Sequence, residues 1–333
     1  MKVTILHAGW LNAPNGASSV LRTLLNNIET FGSMQIELNS FTMDDISPKK
    51  FRVNSDIKSK TFYVRFVDYI KNRASTNAFF ALILIYGYYL RHAQKISKKF
   101  CELNQTQDIV FLHDIFTSYY YLRHKKKTLN QPKTVLVLHN NGDTYNMLKH
   151  YYKTLEKSLF YNYFLHIEKK VLLGVDKVGF VAKAPMENFK ILHPDFPEDK
   201  LFFVYNGLPP SVRKPITVGT DCYKLVCVGS ISERKGQRLI IEALNRLEKE
   251  RRKKIQIVFV GDGELRKELE LLTKEYQLTD IVEFVGISFN VDDYLRSSNI
   301  FICLLYAYIQ TTENIRLFPQ TSHLHDTFLQ QTV

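Results

Sequence analysis

The chain has 333 residues, 45% of them hydrophobic, and a formal charge of +12 at neutral pH. That length and apolar content build one large core or two ordinary ones, which excludes a disordered polymer and a disulfide-stapled miniprotein. Four cysteines (Cys101, Cys222, Cys227, Cys303) lack metal-ligand spacing and read as reduced thiols of a cytoplasmic protein.

Apolar, β-branched runs alternate with helix-patterned segments along most of the chain, the pattern of an α/β architecture with parallel sheets. The first strand spans 3–6, in place of the long apolar stretch of a secretory leader. A glycine-bearing loop, GWLNAPNGASS, leads from it into a helix that runs through about Ile28. Further strands are predicted at 35–41, 108–112, 134–138, 177–181 and 201–204, with a long tyrosine-rich helix over 146–173. The longest apolar run, Ala78 to Leu90, is too short to cross a bilayer, which takes about 20 residues. Basic residues crowd around it: Lys58, Lys60, Arg65, Lys71, Arg73, Arg91, Lys95, Lys98 and Lys99, with Lys125–Lys127 as a second knot. Two explanations stand, a solvated basic helix face and contact with an anionic membrane surface. Nucleic acid is not expected, because no recognition motif accompanies the charge.

Asn206-Gly207 before Pro209-Pro210 marks a turn and the start of a linker. The boundaries predicted are 1–208 for a first Rossmann-like domain, 209–221 for the linker, 222–304 for a second domain and 305–333 for an irregular tail. In the second domain, strands are predicted at 224–228, 255–260, 281–285 and 299–303, and the first three are followed by glycine-bearing loops. A strand that stops at glycine and restarts as a helix offers backbone amides to a phosphate.

Three segments of the second domain, VGSISERKGQ, VGDGELRKEL and VEFVGISFNVDDYLRSSNIFI, occur in this order. With NGASSVLRTLL, VLVLHNNG and LFFVYNGLPP of the first domain, they make residues 1–303 resemble the retaining glycosyltransferases of the GT-B fold, family 4, within the glycosyl transferases group 1. The resemblance implies two Rossmann-like domains, the second in strand order 3-2-1-4, and transfer of a sugar with retention. The implied donor is a nucleotide-sugar, a UDP-sugar by family frequency; the implied acceptor is a glycan or lipid-linked glycan of a bacterial cell surface.

Carried over by position, the resemblance gives Gly16 to the donor diphosphate, His139 to the donor sugar as catalytic residue, and His113 to the acceptor side. Gly229, Ser230, Arg234 and Lys235 fall at the phosphate clamp. Ser230 stands where the family has arginine, and Arg234 is a candidate substitute. Gly261 and Gly263 would let backbone approach the donor, and Gly286 to Val291 would hold the base. For Gly16, His139 and His113 the plain alternatives are an ordinary turn glycine and satisfied core histidines. Asp262, Glu264 and Asp292-Asp293 read as helix caps, and no cofactor or metal is expected. The family's acidic E-x7-E loop does not follow Cys303; Glu313 is the only carboxylate between Asp293 and Asp326. The expectation is therefore an incomplete second domain whose fourth strand has a bare edge. The alternative functions are an inactive remnant of such an enzyme and a membrane-surface-binding protein without transfer activity.

Overall fold

A computed structural model describes residues 1–49, 62–125, 131–207, 222–288, 290–304 and 317–319. They form two compact units, the first drawn from the residues up to 207 and the second from those after 221. The expected linker lies outside the described residues, as do Lys58, Lys60, Lys126, Lys127 and the tail other than 317–319.

The first unit runs β1 (Lys2–His7), α1 (Gly16–Asn26), α2 (Ile28–Ser33), β2 (Glu37–Thr42), α3 (Phe62–Ala74), α4 (Ala78–Ile85), a π-helical turn (Tyr86–Leu90) and α5 (Arg91–Leu103). It continues with β3 (Ile109–Leu112), α6 (Ile115–Lys125), β4 (Lys133–Leu138), α7 (Asn146–Tyr151), α8 (Tyr161–Gly174), β5 (Lys177–Phe180), α9 (Lys183–Leu192) and β6 (Leu201–Phe203). The six strands form one parallel sheet in the order β2-β1-β3-β4-β5-β6. Alternation sorts its side chains between two faces. Leu6, Leu112 and Leu136 join the large core with Ile96 and Phe100 of α5 and Phe164 and Val171 of α8. Ile5 turns the other way, with Leu38 of β2 and Leu21 of α1. Asn15 starts α1 by accepting from the Ser18 amide at 2.9 Å, which satisfies one of the orphan donors of the first turn.

One predicted element divides. The long helix over 146–173 breaks into α7 and α8, with turns between them. Leu155, fully buried in the large core, sits in those turns, held by Leu155 N–H to Tyr152 C=O at 2.8 Å. Burying that leucine outweighs the propensity to continue one straight helix.

The second unit contains β7 (Tyr223–Val228), α10 (Gln237–Arg246), α11 (Lys249–Arg252), β8 (Ile255–Val260), α12 (Arg266–Glu275), β9 (Val282–Gly286), α13 (Val291–Arg296), β10 (Ile300–Ile302) and β11 (Leu317–Pro319). Its sheet order is β11-β10-β7-β8-β9. β10, β7, β8 and β9 are parallel, in the predicted doubly wound order, and this sheet is the smaller of the two. The expectation of a bare β10 edge is corrected. β11 pairs antiparallel with it, Ile302 opposite Leu317 and Ile300 opposite Pro319. A terminal proline suits this outermost position, where no further strand among the described residues needs its missing N–H.

Candidate functional site

In a parallel βαβ sheet every strand delivers its following loop to the same edge. Each unit therefore has one edge where ligand-facing residues gather, and the two edges differ in chemistry.

In the first unit the edge is lined with histidine. Register pairs Leu6 with Leu112 and Leu112 with Leu136. His7 and His113 thus follow aligned leucines, and His139 lies two residues past Val137, which is level with His113. Period-two alternation puts all three imidazoles on one face. His113 Nδ1 lies 2.9 Å from His139 Nε2, and the two rings stack with centroids 5.1 Å apart. The His7 ring meets His113 edge-on at 6.3 Å. His7 Nδ1, His113 Nε2 and His139 Nδ1 are buried without a hydrogen-bond partner among the described residues.

Burial lowers the pKa of all three. His139 falls to about 4 through desolvation, with His7 acting in the same direction. His113 falls well below the ordinary value through desolvation, helped by His139 and His7. For His7 desolvation again dominates, and Asp114 and Asp44 oppose it. Those carboxylates are tied to backbone: Asp114 accepts from the Thr117 amide at 2.8 Å and Asp44 from the Leu11 amide at 2.7 Å. The imidazoles are neutral at pH 7, each able to donate once and accept once.

Sequence reasoning marked His113 and His139 but missed His7, because the link between His7 and the other two is sheet register. A local clue existed in Gly9. A Cβ there would lie 2.4 Å from His7 Nε2, so the β1–α1 loop crosses directly over the His7 ring. The loop is pinned by Ser18 Oγ donating to Trp10 C=O at 2.8 Å and by Arg22 donating to the carbonyls of Leu11 and Ala13. Gly16 is the first residue of α1, and a Cβ there would meet nothing within 4 Å. No close approach requires glycine at that position in the free chain.

The second unit's edge is cationic. Lys235 is only 7% exposed, yet its ammonium has neither an ion pair nor a hydrogen bond among the described residues. Its stem folds over Gly229, with Cε 3.5 Å and Nζ 3.9 Å from where a Cβ would stand. Burial lowers the Lys235 pKa, the thiol of Cys303 opposes that shift, and Arg234 adds to it. Arg234 is itself exposed, and so is Ser230, whose Oγ lies 3.5 Å from Ser232 Oγ. Gln237, missed from sequence, is 1% exposed and clamps the loop: its Nε2 donates to Ser230 C=O at 2.9 Å and its Oε1 accepts from Ser232 N–H at 3.3 Å.

In the free chain the glycines of VGDG meet a packing demand. A Cβ on Gly261 would lie 1.9 Å from Gly229 C=O, and one on Gly263 would lie 2.2 Å from Ile231 C=O. Their bareness lets the loops after β7 and β8 pack backbone to backbone, as in the bond from Ile231 N–H to Asp262 C=O at 3.1 Å. Gly261 also sits at φ +147°, where side-chain-bearing residues are strained. Gly286 (φ +77°) accepts from the Gly261 amide at 2.8 Å, and Val291 packs against the Val226–Phe301 cluster. Asp262 accepts from Gly263 N–H at 2.7 Å and pairs with Arg266, but the expected cap is corrected: α12 starts after Leu265 and no side chain caps it, because the VGDG loop places Asp262 too far before the first turn. Among the described residues no group of three or more His, Cys, Asp or Glu is arranged to hold a metal ion.

Residues 211–313 match the glycosyl transferases group 1 family. Over 148 residues the chain is 24% identical to an uncharacterized glycosyltransferase of Methanocaldococcus jannaschii, spanning 43% of this chain and 36% of that protein. Over 94 residues it is 32% identical to the lipopolysaccharide core biosynthesis glycosyltransferase LpsD of Rhizobium meliloti, spanning 28% of this chain and 26% of the other. The matches thus cover about a third or less of either relative.

Structural likeness extends further along the chain. Sucrose-phosphate synthase of Thermosynechococcus elongatus superposes with a TM-score of 0.56 at 15% identity, over 90% of this chain and 75% of that one. Anabaena HepE, crystallised with UDP, gives 0.53 at 14% identity, over 90% and 73%. The lipopolysaccharide outer core galactosyltransferase WaaB gives 0.50 at 15% identity, over 92% and 74%. At these identities the likeness establishes the fold: two Rossmann-like units of the GT-B type.

Proposed function

We propose that the chain is a glycosyltransferase of group 1 type that moves a sugar from a nucleotide-sugar donor to a glycan or lipid-linked acceptor. The observation that carries this reading is Lys235, a side chain only 7% exposed at the C-terminal edge of a parallel sheet with no carboxylate partner among the described residues. A buried charge without a counter-ion is costly unless a ligand brings one. A diphosphate is such a ligand, and the amides of the first turn of α10 add their own attraction for anions.

In the finer reading the enzyme belongs to family 4, retains anomeric configuration and takes a UDP-sugar; a neighbour of like fold binds UDP. Lys235 would stabilise the departing diphosphate, with exposed Arg234 and the Ser230 hydroxyl assisting from solvent. His139 would offer a neutral hydrogen bond to a sugar hydroxyl in the first unit. Charge neutralisation by lysine and amides leaves no demand for a divalent ion, so transfer should survive a chelator. Surface-polysaccharide synthesis at the cytoplasmic face of a membrane is the setting proposed, supported by the partial match to LpsD.

Membrane contact is assigned to the first unit. Phe66 and Tyr69 of α3, Phe79 and Ile83 of α4, and Tyr86 and Tyr88 of the π-helical turn are exposed. Lys71, Arg73, Arg91 and Lys95 flank them, also exposed. Aromatics beside lysine and arginine suit the interface of an anionic bilayer. No helix among the described residues is long and apolar enough to cross a membrane.

Calorimetric titration with UDP tests the donor site. The parent chain should bind and Lys235→Ala should lose most of the affinity; equal binding by both would overturn the assignment. Co-sedimentation with anionic but not zwitterionic vesicles, released by salt, tests the membrane face.

A further inference from the structure

We propose that His113 is a positioning residue for His139, bonded to its ring, with His7 packed edge-on against His113 as the second support. The proposal rests on the reading of His139 as a ligand-contacting residue and adds what fixes its ring. The single bond from His113 Nδ1 to His139 Nε2, at 2.9 Å, decides two things together. It sets the orientation of the His139 ring, and it commits Nε2 to one role, so the tautomer of His139 is fixed by what His113 presents. His113 cannot easily turn away, because it is 8% exposed, stacked on His139 and met edge-on by His7.

Three apolar side chains would fill the same space without orphaning any polar atom. Instead three ring nitrogens are left buried and unpartnered on one sheet face. A merely structural core has no use for that arrangement, whereas a site awaiting hydroxyl groups does. The charged groups acting on the cluster are Asp114 at the start of α6 and Asp44 beyond β2, both on His7. Both carboxylates are engaged by backbone amides, so neither is free to take over the His139 ring.

The test is nitrogen NMR on the full chain with ring-labelled histidine. In the parent, a coupling across the His113–His139 hydrogen bond should be visible, with His139 in one tautomer at neutral pH. His113→Leu should abolish the coupling and shift the His139 ring nitrogens toward values averaged over both tautomers. His113→Asn, whose side-chain nitrogen stands near the Nδ1 position, should restore a single state. In a transfer assay His113→Leu should lower kcat by about 10- to 100-fold. A parent chain without the coupling overturns the proposal whether or not any variant folds. So does a folded His113→Leu protein with unchanged His139 nitrogens. A chain that shows the coupling yet transfers no sugar would refute the transferase reading and leave the positioning role standing.

Discussion

The C-terminal edge of the first sheet holds three imidazoles that burial keeps neutral, whereas the same edge of the second sheet holds a lysine buried to 7% exposure with no carboxylate partner among the described residues. The topology that produces the two edges is the same, since parallel strands and crossover helices send every loop to one side. The chemistry differs because of what desolvation does to each side chain. An imidazole taken out of water sheds its proton at little cost near neutral pH. A lysine gives up its proton far less readily and persists as a cation seeking an anion. The first edge suits hydroxyl groups and the second suits phosphate.

The comparison can be broken at its most rigid point first. Gly261→Ala sets a Cβ 1.9 Å from Gly229 C=O at φ +147°, so two loop backbones must separate. It should destabilise the second unit by on the order of 4 kcal/mol, among the larger effects of a single substitution. Thermal unfolding followed by calorimetry would show the second unit's transition lowered and the first unit's unmoved. Equal stability would mean that the VGDG loop does not pack against the loop after β7.

Acid should distinguish the units next. The folded His139 pKa is about 4, below the ordinary 6.5, so the unfolded chain binds protons that the folded chain refuses. Stability is therefore complete above about pH 6.5 and falls as the pH drops toward 4, by about 3 kcal/mol from His139 alone. His113 acts in the same direction. Denaturant midpoints measured between pH 7 and 4 should fall for the first unit. His139→Gln should flatten that dependence.

Lys235→Ala should cost roughly 1.5–3 kcal/mol of UDP affinity, the scale of a charge-assisted contact, with little or no loss of stability in the free chain because the ammonium has no ion pair there to lose. A large loss of stability without loss of affinity would recast Lys235 as structural. The smallest effect belongs to Arg234, which is exposed and screened. Arg234→Ala should weaken UDP binding by only about 0.2–1 kcal/mol, and salt should shrink the difference further.

What was legible in the sequence is what local patterning controls. Ile255–Val260 is apolar except for Gln256 and is β8 with those bounds. Alternating strands and helices announced the parallel sheets, and the order of the four parallel strands of the second sheet came from the resemblance to the GT-B enzymes. Lys235 was singled out by the resemblance, and the structure folds its stem over the strand-ending Gly229. Tertiary structure decided the rest through contacts between residues far apart in sequence. Leu155 broke the helix expected over 146–173 because a core distant in sequence received it. Leu317–Pro319 covered the β10 edge from a stretch without periodicity, since a short edge strand is specified by the groups it pairs with more than by its own residues. Gly261 and Gly263 were readable as glycines, but their reason, another loop's backbone 1.9 and 2.2 Å from the missing Cβ atoms, was not. His7, His113 and His139 are 106 and 26 residues apart, and sequence alone shows three strand-ending histidines. Only the register of β1, β3 and β4 brings them to one face, and only the burial that follows makes them neutral.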